Sequence, residues 1–195
     1  MVEDQIEWLA PNNFPDLSKY ETISIDLETR DPDLKLKGSG SIINNGEIIG
    51  IAVAVDNWCK YYPFGHIGGG NLDKKKILTW IKSVCATKAT KVFHNAMYDV
   101  CWLRSYGINI KGCIKDTMVM ASLINENRMS YTLNALSWEY LRKRKDESIL
   151  NEAAKSWGVD PKAELYKLPA MKVGKYAEKD AELTLELFKK LTAKI

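Results

Sequence analysis

The sequence predicts an α/β fold in which a mixed five-stranded sheet is flanked by helices. Residues 22–64 contain three segments typical of strands, and in the first of them polar and apolar residues alternate strictly. Residues 91–114 contain two further short apolar runs, separated by a segment with helical spacing. Helix-forming segments then occupy most of residues 116–193. The strands therefore come early in the chain and most helices come late.

The composition is that of an ordinary globular protein, because 46% of the 195 residues are hydrophobic and 27% are charged. We expect a single domain over residues 1–195, with an irregular lead-in over residues 1–20. No apolar run has the length that a bilayer-spanning helix needs, and the acidic N-terminus does not resemble a secretory signal. The expected location is the cytoplasm, or the host cytoplasm if the protein is viral, with no membrane partner.

Charge and cysteine content exclude some kinds of site without identifying a partner. The formal net charge of +3 is too small to indicate a nucleic-acid partner by itself. Basic clusters at residues 74–76, 142–145 and 172–179 are ordinarily solvated helix faces. The four cysteines form no CxxC pair and there are two histidines. A zinc site and a disulfide framework are therefore not expected.

The first three strands are predicted over residues 22–28, 47–55 and 58–64. A loop rich in glycine, asparagine and proline follows the first strand. Residues 56–57 form a plausible tight turn, so the second and third strands should make an antiparallel hairpin.

The rest of the chain predicts two short strands and six helices. The strands are expected over residues 91–93 and 110–114. Asn71 or Asp73 is expected to cap the first helix, and Gly107 is expected to end the second. The predicted helices are 73–84, 97–106, 116–124, 131–141, 148–156 and 174–193.

The order of these elements restricts the topology. The first three strands should form an antiparallel meander, while the last two follow helical crossovers, which favour parallel pairing. This mixture describes a ribonuclease H-like sheet. It argues against a Rossmann fold, which needs alternating strands and helices from its start.

Several carboxylates are candidates for chemistry. Asp26 and Glu28 project from the same face of a strand, where two like charges favour a bound cation. A solvated acidic strand face is an equally good interpretation of this pair alone. Tyr176 and Asp180 are neighbours on one helix face, and a solvated aspartate is the more common outcome.

Asp99 and Asp116 lie at two strand-to-helix junctions. Asp99 follows Asn95, a credible helix N-cap, and the helix dipole favours an acidic residue there with or without a metal. We interpret Asp116 as a helix cap rather than as a metal ligand.

Three motifs in a fixed order give the chain a resemblance to a known family. They are Asp26-x-Glu28 on the first strand, Asn95-x-x-x-Asp99 after the fourth, and Tyr176-x-x-x-Asp180 on the last helix. This order resembles the DEDD exonucleases, in the tyrosine-bearing subgroup that includes the proofreading domain of family-A DNA polymerases. The resemblance covers residues 20–193, and motif matches in this order are far more specific than any one of them.

The resemblance implies a ribonuclease H-like (DnaQ-like exonuclease) fold and a 3′→5′ exonuclease. Such an enzyme hydrolyses phosphodiester bonds at the 3′ end of single-stranded or frayed DNA and releases nucleoside 5′-monophosphates. The cofactors implied are two divalent ions, Mg²⁺ or Mn²⁺. Asp26, Glu28 and Asp180 would hold the first ion; Asp26 would bridge to the second, which Asp99 helps hold. Tyr176 would orient the attacking water.

The resemblance also implies contacts to the terminal nucleotide. The backbone of Thr29 and the side chain of Asn95 are the implied contacts, and Leu34 is our candidate for an apolar wedge beside the terminal base. His94 and Tyr98 are candidates for stacking on bases. Four lysines could meet phosphates, at positions Lys35, Lys37, Lys172 and Lys175. Plain surface or core roles are equally compatible with the histidine, with Tyr98 and with these lysines.

Two other functions remain open from the sequence. An exoribonuclease would carry the same metal ligands, because other contacts read the 2′-hydroxyl. A non-catalytic nucleic-acid-binding module could use the same fold, although the intact motifs disfavour it. The chain ends soon after the third motif, so we expect either a free-standing nuclease or a domain excised from a polymerase, for example a phage one.

Overall fold

The computed structural model describes residues 7–195, which form a five-stranded mixed sheet with helices on both faces. The strands are β1 (Thr22–Arg30), β2 (Glu47–Val55), β3 (Trp58–Pro63), β4 (Thr90–Phe93) and β5 (Ile114–Asp116). Their spatial order is β3-β2-β1-β4-β5. The pairs β1–β2 and β2–β3 are antiparallel, and β1–β4 and β4–β5 are parallel. The predicted fold class is confirmed.

Eight helices accompany the sheet in the part of the chain that is described. They are α1 (Leu34–Lys37), α2 (Gly40–Ile43), α3 (Lys74–Cys85), α4 (Ala96–Ser105), α5 (Thr117–Ile124), α6 (Leu133–Leu141), α7 (Ser148–Trp157) and α8 (Ala170–Thr192). The prediction of a plain loop after β1 was wrong, because α1 and α2 lie there. Each has four residues, too few to produce a helical period.

The predicted position of the fifth strand was also wrong. It was expected over residues 110–114 and lies instead at Ile114–Asp116. The apolar residues that suggested the earlier position pack on the core: Ile108 is buried and Ile110 lies against the same cluster. Gly112, at φ 80°, turns the chain back beside β4, where an added Cβ would lie 2.4 Å from the Ala89 carbonyl oxygen.

The two faces of β1 have different environments. Leu27 and its alternating apolar neighbours pack into a core with α3 and α4. Asp26 and Glu28 face the opposite side, where their partners on β2 are Ala52 and Gly50. Both partners are small, and a Cβ at Gly50 would lie 2.1 Å from the Tyr61 hydroxyl. Gly50 thus lets the Tyr61 side chain pack against β2 next to Glu28.

Helix α8 covers this second face. Its residues pack with β2, β3 and α7 in one apolar cluster and with α5 and α6 in another. The described part of the lead-in, residues 7–20, is irregular as expected, yet it is tied to the helix. The Trp8 indole N–H donates to the Glu178 carboxylate at 2.9 Å, and the ring lies against Gly174. Residues 1–6 of the predicted lead-in lie outside the described residues.

Candidate active site

Strand β1 and helix α8 bring three carboxylates together. Asp26 and Glu28 come from β1 and Asp180 comes from α8, and one oxygen of each lies within 4.8 Å of the others. Asp180 is buried, while Asp26 and Glu28 are half-buried. The structure therefore unites residues that the first and third sequence motifs place at opposite ends of the chain.

Asp99 is the fourth carboxylate of this region. It lies in the first turn of α4 and is buried, with 4% of its surface exposed. Burial raises the pKa of its carboxyl group well above the usual value, and the negative charges of Asp26, Glu28 and Asp116 raise it further. Asp99 is therefore close enough to Asp26 and Glu28 for their charges to act on it, although it does not belong to the cluster of Asp26, Glu28 and Asp180.

The clustered carboxyl groups resist ionisation in the absence of a cation. Burial raises the pKa of Asp26 well above the usual value, and the negative charge of Asp180 adds to the effect. Burial likewise raises the pKa of Glu28, with further contributions from Asp26 and Asp180. Burial also raises the pKa of Asp180, but a neighbouring lysine and Tyr176 oppose the rise by hydrogen bonding. Such a cluster favours a bound divalent cation.

The neighbouring lysine is Lys145, which sequence reasoning missed. Its Nζ lies 2.9 Å from Asp180 Oδ1 and donates to Oδ2 at 3.0 Å. It also lies 3.4 Å from the Tyr176 hydroxyl and 4.6 Å from the centre of that ring. The sequence placed Lys145 within a basic cluster of the ordinarily solvated kind. No periodicity could reveal its inward direction, because residues 142–147 are irregular between α6 and α7.

Tyr176 lies one turn before Asp180 on α8, as its spacing predicts. Burial raises the pKa of its hydroxyl far above the usual value, and the negative charges of Glu28, Asp180 and Asp26 raise it further. The phenol therefore keeps its proton at neutral pH and can donate a hydrogen bond into the site.

Asp116 caps two helices, in agreement with its interpretation as a cap. Its Oδ1 accepts hydrogen bonds from the Met118 N–H at 2.9 Å and the Asn95 N–H at 3.0 Å, and Oδ2 accepts one from the Ala96 N–H at 2.8 Å. Asn95 stands at the N-cap position of α4 with φ 70° but makes no capping bond through its side chain. Asn95 thus holds the predicted N-cap position without a capping bond from its side chain, while Asp116 accepts the backbone N–H groups of Asn95 and Ala96 at the start of α4.

The residues expected to contact the terminal nucleotide lie in varied surroundings. The Thr29 hydroxyl hydrogen-bonds the Tyr98 hydroxyl at 2.7 Å, and Tyr98 donates to Asp31 at 3.0 Å. Leu34 on α1 is 43% exposed. The Asn95 side chain is exposed on the surface. The Tyr98 hydroxyl is therefore already hydrogen-bonded to two protein groups.

Both ring nitrogens of His94 have protein partners. Nδ1 lies 2.8 Å from the Thr117 hydroxyl, and Nε2 lies 2.9 Å from the Tyr131 carbonyl oxygen. The half-buried ring thus joins β4 to α5 and to the segment before α6. A ring face, rather than a ring nitrogen, is what it can offer to a nucleotide.

Two depressions matter for the site. A groove of about 240 Å³ is lined by Tyr176, Arg144, Lys172, Lys175 and other residues, which puts two of the lysines expected to meet phosphates beside Tyr176; none of the clustered carboxylates lines it. A larger depression of about 840 Å³ lies between α8 and the β2–β3 hairpin and contains none of the clustered carboxylates. The donor chemistry, rather than the size of a cavity, therefore identifies the site.

The chain was compared with known proteins. The family model described as 3′–5′ exonuclease matches residues 9–195. A DNA-directed DNA polymerase of Pseudomonas phage M6 is 35% identical over 191 residues, covering 94% of this chain and 29% of the polymerase. The chain thus spans less than a third of the length of that relative.

Solved structures show the same fold. Brucella melitensis NrnC with bound Mg²⁺ is 16% identical, with a TM-score of 0.61 over 95% of this chain and 78% of that one. Escherichia coli RNase D, described as an exoribonuclease involved in structured RNA processing, is 17% identical, with a TM-score of 0.59 over 91% of this chain and 40% of that one. None of the helices within residues 7–195 has both the length and the apolar character needed to cross a membrane.

Proposed function

The chain belongs to the 3′–5′ exonuclease family, as a domain of the DNA polymerase I type, and on that premise we propose that it removes nucleotides from the 3′ end of single-stranded or frayed DNA with two divalent metal ions. The observation that carries the proposal is the convergence of Asp26, Glu28 and Asp180 within 4.8 Å. Asp99 lies beside them and responds electrostatically to two of the three.

The donor set fits hard cations. Carboxylate oxygens are the ligands that Mg²⁺ and Mn²⁺ prefer, and no cysteine belongs to the cluster found among the described residues. Asp26, Glu28 and Asp180 would hold the first ion, and Asp26 with Asp99 would hold the second. When bound, such ions lower the pKa of a bound water and neutralise charge on the phosphate. A fold relative, NrnC of Brucella melitensis, was solved with Mg²⁺ bound.

The protein groups supply orientation and charge. Tyr176 keeps its proton on the phenolic oxygen, so we assign it the positioning of the attacking water rather than the removal of its proton. Asp99 and Asp180 are buried, so a cation that they hold would attract the anionic substrate more strongly than it would in open water.

The substrate contacts are proposed from the same region. Thr29 follows Glu28 directly at an irregularity in the β1–β2 pairing, so its backbone lies beside the carboxylates. Asn95 and Leu34 expose their side chains, and His94 offers a ring face. We assign these residues to the terminal nucleotide, and Lys35, Lys37, Lys172 and Lys175 to the phosphates of the strand.

The relatives favour DNA as the substrate. The M6 relative is named a DNA-directed DNA polymerase. A DNA polymerase I of Pseudomonas aeruginosa is 26% identical over 188 residues, and the match covers 19% of the length of that polymerase. We propose that the domain acts beside a polymerase domain and proofreads new DNA in the cytoplasm, or in the host cytoplasm in the case of a phage.

One experiment tests reaction, polarity and substrate together. Single-stranded DNA labelled at its 5′ end is incubated with the protein and with Mg²⁺, Mn²⁺ or chelator, beside RNA of the same sequence. We expect a ladder that shortens from the 3′ end, only with metal, and faster on DNA. Faster degradation of RNA would favour the exoribonuclease alternative, and products of endonucleolytic cleavage would overturn the proposed activity.

A further inference from the structure

We propose that Lys145 is a built-in cation that competes with the divalent ion for Asp180 and so sets the metal affinity of the site, a role that rests on the metal site proposed above. In the metal-free protein the ammonium group holds the carboxylate. When an ion binds, the ammonium group gives up that position.

The contact geometry supports a competition rather than a remote influence. Nζ of Lys145 lies 2.9 Å from Oδ1 of Asp180 and donates a hydrogen bond to Oδ2 at 3.0 Å, while Oδ1 is buried and accepts no hydrogen bond. Each of the two side chains is only 10% exposed. A metal ion that uses Oδ1 or Oδ2 of Asp180 as a ligand would meet the positive charge of this ammonium group at close range.

The charges around Lys145 explain why an ammonium group is stable at this place. Removal of Lys145 would take away a positive charge that acts on Asp26, Glu28 and Asp180, and uncompensated negative charge is costly away from water. The positive charge of Lys145 opposes the rise in the pKa of both Asp26 and Glu28. Lys145 therefore does in the metal-free protein part of what a divalent ion would do.

Lys145 has a second acidic partner outside the trio. Its Nζ lies 3.7 Å from an oxygen of Glu147, whose side chain is 28% exposed. Both residues lie in the irregular segment 142–147. An ammonium group released from Asp180 can remain paired with Glu147, so its displacement does not strand a buried charge. In the metal-bound state, the positive charge of Lys145 would therefore still have the carboxylate of Glu147 as a partner.

A neighbouring lysine provides the matched control. Lys143 pairs with Glu186 at 2.6 Å, and its side chain is 47% exposed. Lys143→Met removes the same charge and ion-pairing group two residues earlier, outside the carboxylate cluster. Lys145→Arg keeps the charge at the site and serves as the conservative variant.

The test is the affinity for Mn²⁺ alone, measured by electron paramagnetic resonance of the free ion. We expect Lys145→Met to bind Mn²⁺ roughly threefold to tenfold more tightly than wild type, because the coupling of this part-buried pair should lie between that of exposed charge pairs and that of close, buried ones. Lys145→Arg and Lys143→Met should stay within about twofold of wild type. Equal or weaker binding by Lys145→Met would overturn the competition. Absence of Mn²⁺ binding by the wild type would overturn the metal site itself, and the competition with it.

Thermal melting separates competition from a merely structural role. Lys145→Met should melt lower than wild type in chelator and should gain more than wild type from saturating Mn²⁺. An equal deficit in both conditions would indicate a structural role alone. If Lys145→Met does not fold, crystal structures of the wild type with and without Mn²⁺ decide the question. We expect the Lys145–Asp180 contact to be absent with Mn²⁺, and its persistence would refute the proposal.

Discussion

The hydroxyl of Tyr176 and the carboxylate of Asp180 lie within hydrogen-bonding distance of the same ammonium group, that of Lys145, at 3.4 Å and 3.0 Å. One turn of α8 thus presents a protonated phenol and a charged carboxylate to a single cation. The two groups have separable roles in the proposed reaction, since one orients water and the other holds metal.

Tyr176→Phe tests the positioning role of the hydroxyl. The variant should lose about tenfold to a hundredfold in kcat, because the attacking water loses one orienting hydrogen bond. Its Mn²⁺ affinity should match that of the wild type, because the phenol is not a ligand in the proposed site. Single-turnover hydrolysis and Mn²⁺ titration measure the two quantities, and a parallel loss of both would contradict the assignment.

Asp26→Ala and Asp180→Ala test the carboxylates as ligands. Each variant should lose about a thousandfold or more in activity, since loss of a bound ion removes several kcal/mol of transition-state stabilisation. Asp56→Ala is the matched control, because Asp56 is an exposed aspartate paired with Lys189 away from the site. Full activity of Asp26→Ala with the labelled DNA strand would exclude the proposed site.

The raised pKa values of the site carboxyl groups predict a pH-dependent stability in chelator. A carboxyl group whose pKa is higher in the folded protein contributes stability below its unfolded value, near pH 4, and loses it as pH rises through the folded value. Metal-free wild type should therefore lose this contribution towards neutral pH. In chelator at pH 8, the free energy of unfolding of Asp26→Asn should exceed that of wild type by on the order of 1 kcal/mol, and its melting temperature should be correspondingly higher. Both differences should vanish near pH 4.

The contributions of His66 and His94 have the opposite sign. Burial lowers the pKa of both imidazoles, to about 4 for His66, so their contribution is lost as pH falls. Both histidines are present in Asp26→Asn and in wild type, so their contributions cancel in the difference between the two free energies of unfolding. The remaining difference reports the carboxylate cluster. A difference that does not change between pH 4 and pH 8 would show that the Asp26 carboxyl group has no raised pKa.

Asp116→Ala tests a cap beside the site. It should destabilise the fold by about 2 kcal/mol, near the upper end for a lost cap, because Asp116 accepts three backbone hydrogen bonds at two helices. Asp73→Ala, which removes the single bond to the Lys76 N–H, should cost about 1 kcal/mol. Denaturant melts give both values, and Mn²⁺ affinity should be unchanged in both variants. A loss of Mn²⁺ binding by Asp116→Ala would instead make Asp116 a ligand.

Much of the fold was predictable because burial is patterned along the chain. The strict alternation around Leu27 follows from a strand with two unlike faces, and it fixed which residues share a face with Asp26. The edge strand β5 was misplaced because its own residues Ile114 and Lys115 are exposed, so burial leaves no pattern there. The apolar residues that precede it pack beneath the sheet instead.

The site was predictable only in part. A metal site of this kind needs acidic residues at fixed positions in the fold. The order of Asp26, Asp99 and Asp180 along the chain therefore identifies them as candidate ligands. The position of Lys145 depends on how the irregular segment 142–147 crosses α8, which local sequence does not encode. The Asp116 bonds to α4 are likewise tertiary, and local capping preferences pointed to Asn95 instead.

The most direct test of the metal site is anomalous diffraction from crystals soaked in Mn²⁺. We predict two anomalous peaks, one in contact with Asp26, Glu28 and Asp180 and the other between Asp26 and Asp99. Well-diffracting crystals at saturating Mn²⁺ with no peak against these carboxylates, or with peaks held by other residues, would contradict the account.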